Sequence, residues 1–187
     1  MNKYSEKTAA AVLNGVLKET RKHAREALWY SWRDAEGRQC VVDGFRAFRL
    51  AAPLAAVEDM PENFATPVDL ARVYAEAEKG GDMRELDAPK LADVEALIAF
   101  DRQCSSRERG LYMFGPGLPV LNVKYLRDAL KLFPDARLYS CGVLCGVIVK
   151  SAHGDGLILP VRVSGPISYK RRKIIYNLAT FAARFTV

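Results

Sequence analysis

A mixed α+β fold is predicted for this chain from two observations. An amphipathic helix followed by three short apolar runs occurs twice, once in each half, and tight turns join some of those runs as hairpins. Size and composition agree. At 187 residues the chain can bury one good core or two small ones, and with half its residues apolar and about a quarter charged it has the balance of a globular protein.

Residues 5–25 are predicted as the first helix, with Ala9, Val12, Leu13, Val16 and Leu17 on its apolar side. Lys18, Arg21, Lys22 and Arg25 follow at i, i+3, i+4 and i+7 on the opposite side. The runs ALWYSWRD (27–34), RQCVVDG (38–44) and FRAFRLAAP (45–53) read as strands, the first two joined at AEGR, and residues 1–57 form a first half. Residues 58–110 read as a bridging insertion. MPENFATP is irregular there, VDLARVYAEAEK is helical, Gly80-Gly81 is a break and LADVEALIAFDRQ is a second helical stretch.

Residues 111–164 form the second half. LPVLNV (118–123) reads as a strand, KYLRDALKLF (124–133) as a helix ended by Pro134-Asp135, and ARLYSCG, GVIVKSA and GLILPVRV as three more strands, with HGDG (153–156) as a turn. Leu126, Ala129, Leu130 and Phe133 make the helix's apolar stripe, with Lys124, Arg127 and Lys131 on its far side. Pro160 cannot donate a ladder hydrogen bond and so belongs at an edge, a bulge or a strand end. Residues 165–187 are a C-terminal extension carrying Lys170-Arg171-Arg172-Lys173 and a helix-like apolar stretch, IIYNLATFAARF.

The formal net charge of +6 and a pI near 9.2 favour an anionic partner, nucleic acid first. Reactive groups do not converge. His23 and His153 have no patterned carboxylate companions, GPG (115–117) lacks the lysine and spacing of a phosphate loop, and Cys141-x3-Cys145 with His153 fits no usual zinc pattern. No enzyme activity, metal or cofactor is therefore expected. Four cysteines without a disulfide framework fit a reducing cytoplasm, and Cys141 and Cys145 are expected to pack as small hydrophobes within paired strands. No window is apolar enough for a membrane span and the N-terminus lacks a signal-peptide core, so a cytoplasmic location is expected.

The stretch LPVLNVKYLRDALKLFPDARLY followed by GDGLILPVRV resembles the end of the bacterial DNA polymerase sliding clamp. The matching positions are Leu121, Asn122, Val123, Tyr125, Leu126, Asp128, Ala129 and Leu130, then Leu159, Pro160, Val161, Arg162 and Val163. VVDGFRAFRL (41–50) is similar to that family's Ala-Thr-Asp-Gly-x-Arg-Leu turn through Asp43, Gly44 and Arg46, with Val42 and Ala47 replacing Thr and Leu. Residues 58–110 have no counterpart.

The resemblance implies one clamp-like domain: two helix-plus-three/four-strand halves related by a pseudo-two-fold, followed by the extension. It implies duplex DNA as a nonspecific partner, contacted through Lys18, Arg21, Lys22, Arg25, Arg46, Lys124, Arg127 and Lys131. It also implies a replication-protein peptide docking beside Pro160, Val161, Arg162 and Val163. A closed ring would need a homo-oligomer of several copies. The alternative expectation is a protein-interaction module that keeps the clamp fold without encircling DNA.

Overall fold

The computed structural model describes residues 3–79, 81–103 and 110–163. Helix α1 (Glu6–Thr20) starts at Ser5, whose hydroxyl accepts from the Thr8 amide, and buries Ala9, Ala10, Leu13, Val16 and Leu17. It ends five residues earlier than periodicity suggests: the Lys22 and His23 amides bond three residues back, to Glu19 and Thr20, and the Ala24 amide shares the Thr20 carbonyl. The run 27–34 is mostly not a strand. A 3-10 turn occupies Glu26–Leu28, the Trp29 indole donates to the Ala24 carbonyl, and only Trp32–Arg33 extends as β1. Its aromatic residues favour strands, yet that indole bond draws the chain into a turn.

Strands β2 (Gln39–Val42) and β3 (Arg46–Leu50) follow, then α2 (Leu70–Glu78), β4 (Arg84–Leu86) and α3 (Leu91–Gln103). The second half supplies β5 (Leu111–Met113), β6 (Val120–Asn122), α4 (Val123–Leu132), β7 (Arg137–Ser140), β8 (Val147–Ser151) and β9 (Gly154–Ile158). Asn122 caps α4 by accepting from the Lys124 amide at 2.9 Å.

Among the described residues, seven strands form one antiparallel sheet in the order β1-β2-β3-β9-β8-β7-β4, and β5-β6 form a separate pair. The order mirrors itself about the β3–β9 junction. On one side α1 precedes β1, β2 and β3; on the other α4 precedes β7, β8 and β9.

Side-chain alternation sorts the central strands between two cores. Val41, Phe48, Val147, Val149 and Ile158 point to a large core closed by α1, α3 and α4. Cys40, Val42, Ala47, Ile148 and Leu157 point to a smaller one closed by Leu70 and Tyr74 of α2. Phe48 is fully buried and meets Phe133 edge to face, ring centroids 6.1 Å apart. The segment expected as an insertion thus covers both faces of the sheet, with α2 on one and α3 on the other, and β4 extends its edge.

Three further corrections concern the second half. HGDG is not the turn: Ala152 and His153 turn the chain, and Gly154 to Gly156 pair with Leu50, Arg49 and Phe48. Asp155 holds that register by a two-pronged bond with Arg49 across the strands, at 2.7 and 2.9 Å. The strand in GLILPVRV stops at Ile158. Leu159 still donates to the Phe45 carbonyl, but Pro160 has no amide hydrogen to continue the ladder, and Val161 donates instead to Val120. Pro160 therefore marks the point where the chain leaves the sheet.

The last correction is chemical: Cys141 and Cys145 are joined by a disulfide across the β7–β8 turn, not packed as free thiols. The turn folds back far enough to bring their Cα atoms to 5.6 Å, a distance a disulfide spans. Cys40 is free and buried. Among the described residues no helix is long and apolar enough to cross a membrane. The basic cluster at 170–173 and the extension 165–187 lie outside the described residues.

Candidate functional site

Helices α1 and α4 lie side by side, and a groove of about 580 Å³ runs between their outer faces. Lys7, Ala11, Gly15 and Glu19 border it from α1; Lys124, Arg127, Asp128 and Lys131 border it from α4. Most of the expected phosphate-binding cations are already matched by carboxylates. Lys124 donates to Glu19, Lys131 pairs with Glu95 at 2.7 Å, and Arg127 donates from Nε to Asp128 at 2.8 Å. Arg21 bonds Glu58 at 2.7 Å and the Trp29 carbonyl, and its guanidinium lies over Tyr30. It therefore fastens the end of α1 to the following loop.

Because α1 ends at Thr20, Lys18, Arg21, Lys22 and Arg25 do not form a continuous row. Lys18, Lys22 and Arg25 are exposed and make no ion pair among the described residues. Paired surface cations attract phosphate less than free ones, so the helix pair is a mixed-charge surface with a few free lysines and arginines on its rim.

Several carboxylates gain from their partners. The hydrogen bond from Lys124 holds the Glu19 carboxyl below its ordinary range. Burial alone would raise the Asp59 carboxyl, but hydrogen bonds from Ser31, Arg33 and Gln39 outweigh it and hold it low. Asp34 follows the same logic through Arg38. A depressed folded-state pKa stabilises the fold above the unfolded value and loses that contribution as pH falls through the folded one. The thermal midpoint is expected to stay level from neutrality down to pH 5. It should drop below about pH 4, the ordinary carboxylate range, in a calorimetric pH series.

Arg46 corrects the expected DNA surface most sharply. Its side chain is wholly buried, so it offers nothing to a phosphate. Nε donates to Asp43 at 2.8 Å and Nη1 to Asp128 at 2.6 Å, while Nη2 sits 3.6 Å from Glu19 without a hydrogen bond. The guanidinium carbon lies 4.4 Å from the centre of the Tyr125 ring. Arg46 thus bolts the β2–β3 turn to α4.

The turn itself is locked by Asp43, whose other carboxylate oxygen accepts from the Phe45 and Arg46 amides at 2.8 and 2.9 Å. Gly44, at φ +91°, supplies a backbone conformation other residues resist. The product is an exposed Phe45, stacked on Tyr125 and pushed to the end of the sheet.

Phe45 edges an apolar pocket of about 240 Å³. Leu157 and Leu159, Leu28 and Val42, and Leu70 and Val73 of α2 line it. Phe45, Val73 and Leu159 are exposed, unusual for large apolar side chains gathered at one place. The expected partner residues Pro160, Val161, Arg162 and Val163 lie just beyond Leu159 and do not line the pocket; Leu157 and Leu159 do. Leu28, Leu70 and Val73 come from segments that carry no motif, so sequence reasoning missed them. Asp128 falls among the cations of the helix's far side, so the sequence pattern did not mark it as a buried partner.

No family model, curated protein or solved structure matches this chain. Among the described residues no group of three or more histidine, cysteine, aspartate or glutamate side chains could hold a metal ion.

Proposed function

We propose that this chain is a non-catalytic, clamp-like interaction module whose apolar pocket docks a short linear segment of a partner protein, such as a replication-protein peptide. One observation carries the reading. Gly44 and Arg46 from one stretch that resembles the clamp family and Leu159 from another are over a hundred residues apart in sequence yet line one pocket, with Leu157 beside them. An apolar cleft with a fixed aromatic edge suits large apolar side chains of an extended peptide. The mirrored order about β3–β9, with one helix and three strands on each side, supports the clamp-like assignment.

A second reading, nonspecific contact with duplex DNA, is favoured by Lys7, Lys18, Lys22 and Arg25, which stand exposed on and just beyond α1. Such contact would weaken steeply with salt.

Fluorescence anisotropy separates the two. Labelled decapeptides carrying a Leu-Phe pair are expected to bind saturably, and Leu159→Asp should weaken them about tenfold or more, while the Lys18→Glu/Lys22→Glu variant binds them normally. A labelled short duplex that binds in low salt, and is lost in the lysine variant alone, would favour the DNA reading. Peptide affinity unchanged by Leu159→Asp would overturn the docking site.

A further inference from the structure

We propose that the Cys141–Cys145 disulfide is a thiol–disulfide exchange site that opens and closes in the folded protein and thereby adjusts the apolar pocket. The coupling to the pocket rests on the docking reading above; the exchange chemistry does not.

The hairpin does not need the bond. β7 and β8 are already paired through Arg137↔Lys150, Leu138↔Val149 and Tyr139↔Ile148, so the turn between them is closed before any sulfur is joined. A cross-link between residues four apart restricts the unfolded chain least of all, so its contribution to stability is small. The turn is also open to reagents. Val143 and Leu144, between the two cysteines, are 49% and 67% exposed, and both cysteines are partly exposed. Accessible disulfides in small loops are the ones that exchange.

The loop is joined to the pocket by direct contact. Across the sheet, Arg46, Ile158 and Val147 share one row, so the β2–β3 turn, the end of β9 and the start of β8 lie at the same end. The cysteine loop enters β8 through Gly146, and a Cβ there would stand 2.6 Å from Leu157 Cδ1. Leu157 therefore rests on the backbone at Gly146, one residue from Cys145, while also lining the pocket. Releasing Cys145 frees the support beneath that wall.

The step balances with a dithiol as reductant. One reductant thiolate attacks one sulfur of the protein disulfide and displaces the other cysteine as thiolate. The second reductant thiol then resolves the mixed disulfide, leaving two protein thiols and an oxidised, cyclic reductant. Two electrons and two protons pass to the protein, and a disulfide oxidant reverses the exchange.

The test uses the full chain. Oxidised protein is titrated with dithiothreitol, quenched with iodoacetamide and mapped by peptide mass, with far-UV circular dichroism on the same samples. Cys141 and Cys145 are expected to label together while the spectrum is unchanged and Cys40 stays unlabelled; burial pushes the Cys40 thiol up to about 12, so its labelling reports unfolding. Labelling of Cys141 and Cys145 only together with Cys40 would overturn the exchange site.

The anisotropy titration is then repeated on oxidised protein, reduced protein and Cys141→Ser/Cys145→Ser. Reduced protein and the double variant are expected to share an affinity at least about threefold different from that of the oxidised form. Equal affinity in all three would overturn the coupling. Absence of saturable peptide binding in every state would overturn the docking reading and the coupling together, and the labelling pattern would decide the exchange site by itself.

Discussion

Arg46→Ala is expected to destabilise the fold by about 3–5 kcal/mol, the range for removing one partner of a buried charge pair. The cost comes from what stays behind. Asp43 and Asp128 are both buried; Asp43 is left with only its two backbone amide donors, and Asp128 with only Arg127 as a cationic partner. Arg46→Lys should restore only part of the loss, because an ammonium cannot place donors at 2.8 and 2.6 Å on two carboxylates from one planar fork. Arg46→Met combined with Asp43→Asn and Asp128→Leu should recover more than Arg46→Lys, since it removes both buried carboxylates together with the guanidinium that neutralises them, while the asparagine can still accept the turn amides. Urea unfolding followed by circular dichroism measures all three. A loss under about 1 kcal/mol for Arg46→Ala would mean that water reaches the cluster.

Phe48→Ala should be comparably severe, about 3–5 kcal/mol. Phe48 is fully buried at the centre of β3, faces Phe133 after α4, and pairs in the backbone with both Val41 and Gly156. Truncation leaves a cavity where the two halves meet, and strands tied on both edges cannot collapse to fill it. Phe45→Ala, three residues away, removes the same ring from a half-exposed position and should cost well under about 1 kcal/mol. Similar losses from the two alanine variants would refute the assignment of Phe48 to the core and Phe45 to the surface.

The helices were legible because their apolar spacing repeats over two to four turns. Helices α1, α2 and α3 fall within the stretches that periodicity marks, although α1 stops early, and α4 starts one residue before its stretch, at Val123. Strands β4 and β5 were not legible: each spans three residues, and in β4 only Leu86 is buried, too little for an alternation to register. The start of 27–34 misled because Trp29 and Tyr30 favour strands in general, while here the Trp29 indole bonds back to Ala24 and only Trp32 extends as a strand.

The site was half legible. Asp43, Gly44 and Arg46 stood out as a unit, but the partner that buries Arg46, Asp128, lies 82 positions away, and nothing local announces so distant a pairing. Read without that partner, an arginine on a turn is taken for a surface cation. The disulfide escaped for the opposite reason. Two cysteines four apart make too short a pattern to signal a framework, and only the fold of the turn brings them together.

The junction of β3 with β9 has a consequence for the chain as it is being made. β3 pairs on one edge with β2 almost at once, but its other edge awaits Gly154–Ile158, about a hundred residues later. On the ribosome, at some 5–20 residues per second, this edge stands open for several seconds, its backbone groups unpaired and Phe48 without its final cover. Molecules held at that stage share the same vacant strand edge and can supply it to one another. Arg49 places a positive charge on that strand before Asp155 of β9 has been made, a charge of the kind that discourages edge-to-edge pairing, whereas Arg46 already has Asp43 beside it. The arginine that later fastens β3 to β9 is, until then, an unmatched charge on an open strand edge.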